Sequence, residues 1–531
     1  MDKNRYFLVF LIFQLYGFLG YAQTSKQYLL YFDQKDYEEY LPKLKKSKQE
    51  ITIGDSLNCP IKKLYLSILS KNNIQIIGQS KWLNAVAITI DTNQKIENIK
   101  NLPFIKNFEY LSERKNSENE NAFCENSGNK LLENNQNSKT QINMENGFYL
   151  HDNGFKGKGI TIAILDGGFS GADTINAFKN LRLQNRINYA YDFVDEDTNP
   201  YKGSEHGTNC FSIMAAQKPS NLMGTAPDAN YILIRTEDTK SEQKIEEFNL
   251  VRGLELADSL GAKVINISLG YTKFDHNIGS YNWQSLTQNN SISQKGVELA
   301  AKKGLLVVVS AGNDGDEKWE YISFPANAKG SLTVGAVDSN GKSSFFSSKG
   351  YADLKDIKPD VVALGENVFM INGDDELYNG NGTSFASPII AGLSACLWQA
   401  FPKLSASEII EVIQKSSNQF LEPDSERGYG LPNFKIAFFL ASRLVFKSPL
   451  PTDWTIAPPR FENDLFLWLP DAKKNGTLKI YNSIGKAFYG LELEKPKQVV
   501  YDLSNALPSP GFYISSIITK NGIQHQKLIK R

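Results

Sequence analysis

Ile160-Thr-Ile-Ala-Ile-Leu-Asp-Gly-Gly168 is the stretch on which the fold turns. Its apolar run lacks the in-out alternation of a strand with one wet face. Continuous apolarity fits a strand buried on both faces of a parallel sheet. The run stops at an acidic residue, Asp166, and two glycines, which signal a tight turn. Four further runs read the same way: Tyr231 to Ile234, Val264 to Leu269, Leu305 to Val309 and Leu332 to Val337. Helical patterns lie between them. Leu250, Val251, Leu254 and Ala257 share one face before Gly261, and Val297, Ala300 and Ala301 do so before Gly304. Strands alternating with helices predict an α/β fold with a doubly wound, mostly parallel sheet. Its site belongs at the C-terminal ends of the strands.

Outward from this core the chain changes character. Its 531 residues are enough for several domains. Apolar residues at 41% and charged residues at 22% exclude a mostly disordered or multi-span membrane chain. Lys+Arg and Asp+Glu are both 58, so no basic excess exists to hold nucleic acid. Lys3 and Arg5, the apolar run from Tyr6 and the small residues Gly20 and Ala22 have the layout of a secretory signal peptide over 1–22. No later run is long and apolar enough for a transmembrane anchor. Residues 23–111 read as a small α+β unit. Eight of the 29 residues from 112 to 140 are Asn, too polar to bury a core, so this segment reads as a linker. The α/β pattern fills 141–440. A Pro-rich stretch at 441–460 reads as a second linker between independent domains, and the short strands and turns of 461–531 as a small β-sandwich.

Three polar residues stand where the sheet places a site. Asp166 ends the first strand; His206 lies in Gly203-Ser-Glu-His-Gly-Thr208; Ser384 lies in Gly380-Asn-Gly-Thr-Ser-Phe-Ala-Ser-Pro388. Taken singly, each reads as a turn, structural or capping residue. Together they supply what a hydroxyl nucleophile needs: an imidazole to take its proton, and a carboxylate to orient that imidazole and stabilise its cation. The order Asp, His, Ser excludes the α/β-hydrolase esterases, in which the serine comes first.

These motifs resemble those of the subtilisin-like serine peptidases (subtilases) across residues 150–440. Gly167 departs from them, since many relatives carry Ser or Thr there. The resemblance implies that Asn313, in Ser310-Ala-Gly-Asn313, donates its amide to the oxyanion alongside the Ser384 N–H. It implies that the main chain of Ser268, Leu269 and Gly270 pairs with the substrate, with Ser310, Ala311 and Gly312 as the opposite wall of the first specificity pocket. The loop containing Tyr281 and Trp283 is open to two readings, a specificity element or a solvated surface loop. Cys210 and Cys396 read as buried thiols, while pairing of Cys59 with Cys124 is left open. No metal-ligand set is read; the family often binds structural calcium, but no Asp-rich loop places an ion.

Residues 23–111 hold the position of the subtilase propeptide, and Ala85 to Ile90 and Phe104 to Phe108 resemble its strands. That resemblance implies an intramolecular inhibitor. Ile480-Tyr-Asn-Ser-Ile-Gly485, Gly511-Phe-Tyr513 and Lys527-Leu-Ile-Lys530 resemble the C-terminal sorting domain of type IX secretion cargo, with the secretion machinery as partner; its usual Pro-Asn-Pro opening is absent. The resulting expectation is a secreted or surface serine endopeptidase, made as a zymogen and acting on polypeptides. The alternative is an inactive subtilase scaffold serving in binding or adhesion.

Overall fold

The computed structural model describes residues 25–45, 52–91, 96–114, 129–130, 138–218, 222–448, 453–469, 475–520 and 522–531. The stretch read as a signal peptide lies outside the described residues, as does Cys124. Two compact units make up the chain. The first joins the residues up to Phe123 with Thr239–Phe248 and Lys273–Ser280; the second holds the remainder.

In the first unit, β1 (Ser25–Phe32), β2 (Gln75–Ser80), β3 (Ala85–Asp91) and β4 (Ile105–Arg114) form an antiparallel sheet of order β2-β3-β1-β4. Its core is Leu30, Phe32, Tyr65, Leu69, Val86, Ile88 and Phe104, with Tyr65 stacked on Phe104 at 4.4 Å. β3 is central and buried almost throughout, which is why its apolar run was legible. Between β4 and the segment 239–248, Lys244 Nζ pairs with Glu109 at 2.8 Å, and the Glu113 N–H donates to Gln243 at 3.2 Å. Cys59 is a buried free thiol.

The second unit begins with β5 (Asn129–Lys130), inside the segment read as linker. Seven parallel strands follow: β6 (Thr161–Asp166), β7 (Ile187–Asp192), β10 (Asn230–Arg235), β11 (Val264–Ile267), β12 (Leu306–Ser310), β13 (Leu332–Val337) and β14 (Val361–Leu364). A separate small pair is formed by β8 (Gln217–Lys218) and β9 (Leu222–Met223). The sheet order is β14-β13-β12-β11-β6-β10-β7. The chain lays β7 and β10 on one side of β6, then crosses to β11 and runs outward, so the order reverses beside β6 and the site falls at that switch point. Every residue of β11 to β14 is buried, as the unbroken apolar runs require.

The longest helices among the described residues are α1 (His206–Ala215), α2 (Ile245–Ser259), α3 (Ile292–Lys302), α4 (Thr383–Ala400), α5 (Ala406–Ser416) and α6 (Phe434–Val445). α4 is buried nearly all round, as a helix apolar on every side must be. A side chain at Gly392 would run into Thr225, so glycine is what lets this helix sit close to the turn before β10. β15 (Val368–Ile371) and β16 (Leu377–Gly380) form a hairpin, and β5 adds to its free edge through Tyr378 and Asn379. The Asn-rich segment thus orders locally by borrowing backbone hydrogen bonds, which needs no apolar burial.

β17 (Thr455–Ala457), β19 (Phe466–Trp468) and β22 (Val500–Asp502) form one C-terminal sheet. β18 (Arg460–Phe461), β20 (Gly476–Asn482), β21 (Ala487–Leu493), β23 (Gly511–Thr519) and β24 (Gly522–Lys530) form the other. Ile456, Leu467, Leu478, Ile480, Tyr513, Ile517 and Leu528 fill the space between them. The stretch 441–460, read as linker, is structured at both ends: α6 runs on to Val445, and β17 and β18 begin before Phe461. This region also shares the core of the seven-stranded sheet. In β19, Leu467 points into the sandwich while Phe466 and Trp468 point to α6, the period of two of a strand. Phe439 stacks on Phe466 at 4.3 Å, and Lys435 reaches Asp464 at 2.9 Å and Asp502 at 3.1 Å.

Candidate active site

Asp166 ends β6, fully buried. Its Oδ1 accepts the Gly167 N–H at 2.8 Å and lies 2.9 Å from His206 Nδ1, while Oδ2 lies 3.1 Å from the same nitrogen. In this contact Nδ1–H donates to the carboxylate, which in the neutral ring leaves Nε2 with a lone pair. His206 is the first residue of α1, brought to Asp166 by a tight approach. A side chain at Gly207 would strike the Gly168 carbonyl, and Gly168 itself adopts φ +147° with Lys202 and Ser204 backbone against it. The two glycines flanking Asp166 and His206 are therefore positional requirements. Burial opposes charge on His206, but the adjacent Asp166 carboxylate prevails and holds the imidazole well above its ordinary value.

Ser384 is the second residue of α4. Proline at 388 has no N–H, so the Ser384 carbonyl lacks its helical donor. Two side chains take that place: Ser268 Oγ donates to it at 2.8 Å and Cys210 Sγ at 3.4 Å. Ser268 Oγ in turn accepts from Asn266 Nδ2 at 3.0 Å, and Asn266 Oδ1 accepts from Ser387 Oγ at 2.8 Å. The Ser384 hydroxyl donates to Ser268 O at 3.3 Å, so it must turn about its Cα–Cβ bond to meet an imidazole. Such looseness is ordinary for a site without substrate. Cys210 links the two halves, its Sγ also lying 3.9 Å from His206 Nδ1.

Asn313 Oδ1 accepts both the Thr383 N–H and the Thr383 hydroxyl, each at 2.9 Å. With its oxygen held, Nδ2 is the end left to donate; it lies 3.6 Å from where a side chain at Gly382 would begin. The Ser384 N–H belongs to the first turn of α4, where backbone donors have no helical acceptor. Such a pair of donors can stabilise an oxygen that gains charge.

Ser268, Leu269 and Gly270 continue from β11, while Ser310 closes β12 and leads into Ala311 and Gly312. The two walls converge: side chains at Gly270 or Gly312 would each meet Ser323 Oγ. Among the described residues, that buried hydroxyl has no hydrogen-bond partner. Tyr281 packs on Phe324 at 4.4 Å, next to Ser323, whereas Trp283 is substantially exposed.

Sequence reasoning named Asp166, His206, Ser384 and Asn313 but missed the groups that hold them: Thr383, Asn266, Ser387 and the thiol of Cys210. Thr383 and Ser387 flank Ser384 in its motif, and Asn266 alternates with Ser268 across a buried strand, a polar position that needs a partner. Glu237 was also missed. It is half-buried, two residues beyond β10, and burial pushes its carboxyl up to about 7 against the Tyr271 hydroxyl that faces it.

Asp166, His206 and Cys210 offer three candidate metal-ligand atoms within 4.8 Å of one another. The chemistry fits hydrogen bonding better than ligation: Asp166 is engaged with His206 and Gly167, and burial keeps the Cys210 thiol protonated. Cys396 is likewise a buried free thiol, donating to Thr225 O at 3.2 Å.

The Subtilase family model matches residues 157–430, which include all four candidate catalytic residues. The chain belongs to the subtilase family. Thermitase of Thermoactinomyces vulgaris is 31% identical over 266 residues, 50% of this chain and 83% of thermitase. Subtilisin DY of Bacillus licheniformis is 29% identical, over 54% of this chain and 92% of the relative. Serine protease AprX of Bacillus subtilis (strain 168) is 26% identical over 50% of this chain; the match spans 63% of AprX. Residues 29–125 match the Peptidase S8 propeptide domain of Bacteroidota, so this subtilase carries a propeptide ahead of its catalytic sheet.

Proposed function

We propose that this subtilase is an exported serine endopeptidase made as a zymogen. Ser384 attacks the scissile carbonyl; His206 takes its proton and then returns it to the leaving amine; Asp166 orients the imidazole. Asn313 Nδ2 and the Ser384 N–H hold the oxyanion. The substrate main chain pairs with Ser268, Leu269 and Gly270, and its side chain enters between them and Ser310, Ala311 and Gly312, above Ser323. The single observation that carries this reading is the double contact of His206 Nδ1 with a fully buried Asp166 carboxylate.

Export rests on the charged and apolar pattern of residues 1–22. Among the described residues, no helix is long and apolar enough to cross a membrane. The C-terminal sandwich is proposed to serve sorting by the type IX machinery, on its Ile480–Gly485 and Lys527–Lys530 motifs.

A fluorophosphonate probe should label Ser384 in the processed protein and fail on Ser384→Ala; absence of labelling would favour the inactive scaffold. Because Asp166 raises His206 above its ordinary value, the basic imidazole accumulates only as pH rises through that raised value. The acid limb of kcat/KM against pH should therefore lie above the ordinary histidine range. Asp166→Asn should move the limb toward acid and lower turnover by about 10⁴-fold. A limb unmoved by that substitution would exclude His206 as the titrating base.

A further inference from the structure

We propose that Glu237 reads a basic side chain, Lys or Arg, on the substrate residue immediately N-terminal to the one whose carbonyl is attacked. This rests on the peptidase reading above. In the sheet, β11 and β10 flank β6, and all three are parallel, so their C-terminal ends line one edge. Ser268 follows β11, Asp166 closes β6 and Glu237 follows β10. The Thr236 N–H donates to Asp166 O at 3.0 Å, so Glu237 leaves that edge one residue past a direct backbone tie to the strand bearing Asp166.

Substrate geometry selects this residue. With the carbonyl between Ser384 and Asn313, the side chain of the residue that owns it enters between the walls that follow β11 and β12. Successive side chains of an extended peptide point to opposite sides. The preceding side chain is therefore directed away from those walls, toward His206 and the end of β10.

Among the described residues, no lysine or arginine forms an ion pair with the acidic group there. The charges acting on Glu237 are those of Asp166 and His206, with the Tyr271 hydroxyl facing it. Arg235, its nearest arginine in sequence, is committed to Asp192 at 2.8 Å and Asp195 at 3.1 Å. A half-buried carboxylate lacking a strong cation gains from an arriving ammonium or guanidinium; an aliphatic side chain offers it nothing.

The test compares two peptides identical except for Lys or Leu at that position, cleaved by the full chain after processing, with active sites counted by fluorophosphonate titration. The Lys peptide should be favoured by about tenfold or more in kcat/KM. Glu237→Gln should bring the ratio near one, and Glu237→Asp should retain part of the preference. A labelled wild-type enzyme without the preference, or a Gln variant that keeps it, overturns the proposal. So does a Gln variant that shifts the pH profile of both peptides equally at constant ratio, which would make Glu237 a positioning residue for His206. A wild-type chain that neither labels nor cleaves overturns the peptidase reading, and this one with it.

Discussion

The N-terminal and C-terminal regions are both small and β-rich, yet they bury their apolar residues differently. One face of the propeptide sheet closes a core within its own region, where Leu30, Phe32, Tyr65, Leu69 and Phe104 pack with one another and with β3, while Leu29, Ala85 and Ala87 are buried on the other face. An ion pair and a hydrogen bond tie β4 to the segment 239–248. The C-terminal region instead contributes Phe466, Trp468 and Val500 to the core of the catalytic unit, and Arg443 lies over the Trp468 ring at 5.0 Å. An apolar contact once buried is costly to expose, whereas polar groups on separating find water. The C-terminal arrangement suits a part that stays.

The largest effect that would sharpen this comparison comes from Ser384→Ala. Turnover should fall by several orders of magnitude. The propeptide should then remain covalently attached in chain expressed alone, while the C-terminal region is unaffected. N-terminal sequencing that found the same processed terminus in the variant would assign the cut to another protease.

Ending the chain after residue 445 is the direct test of the shared core. The Pro-rich stretch alone predicts an independent domain and intact activity. The stacking of Phe439 on Phe466 and the ion pairs of Lys435 predict otherwise. The shortened protein should be insoluble or melt about 10 °C lower, because α6 would present a bare apolar face to water. Unchanged melting of a soluble truncated enzyme would break the comparison.

A milder version is Phe439→Ala, expected to cost about 3 kcal/mol of stability. Phe104→Ala, in the propeptide core, should leave the melting of the processed enzyme where it was. Equal effects from the two in calorimetry of processed protein would mean that the regions do not differ in this way.

The smallest effect concerns the polar tie. Glu109→Gln removes one partner of a partly buried ion pair, and active enzyme should appear about fivefold sooner from the zymogen. An unchanged lag would remove this pair from the control of release.

The sheet was legible because its strands are buried on both faces, so burial wrote itself into unbroken apolar runs at β6, β10, β11, β12 and β13. The solvent-facing strands were not. β24 reads Gly-Ile-Gln-His-Gln-Lys-Leu-Ile-Lys, and most of its residues are wet, so neither run nor strict alternation marked it as a strand. β21 is an edge strand with the same weakness.

The site divides along the same line. Asp166, His206, Ser384 and Asn313 could be read as candidates from sequence because each sits in a local motif beside glycines or at a strand end, and local backbone geometry is encoded locally. Tertiary structure alone decided which groups hold them. Thr383 on Asn313, Ser268 and Cys210 on the Ser384 carbonyl, and Glu237 beside the Asp166 strand join residues between 70 and 174 positions apart in three of these contacts. No local pattern records those distances. They follow from a parallel sheet whose crossovers bring the C-terminal ends of distant strands to one edge, where a buried carbonyl or amide must find a partner from whichever strand arrives beside it.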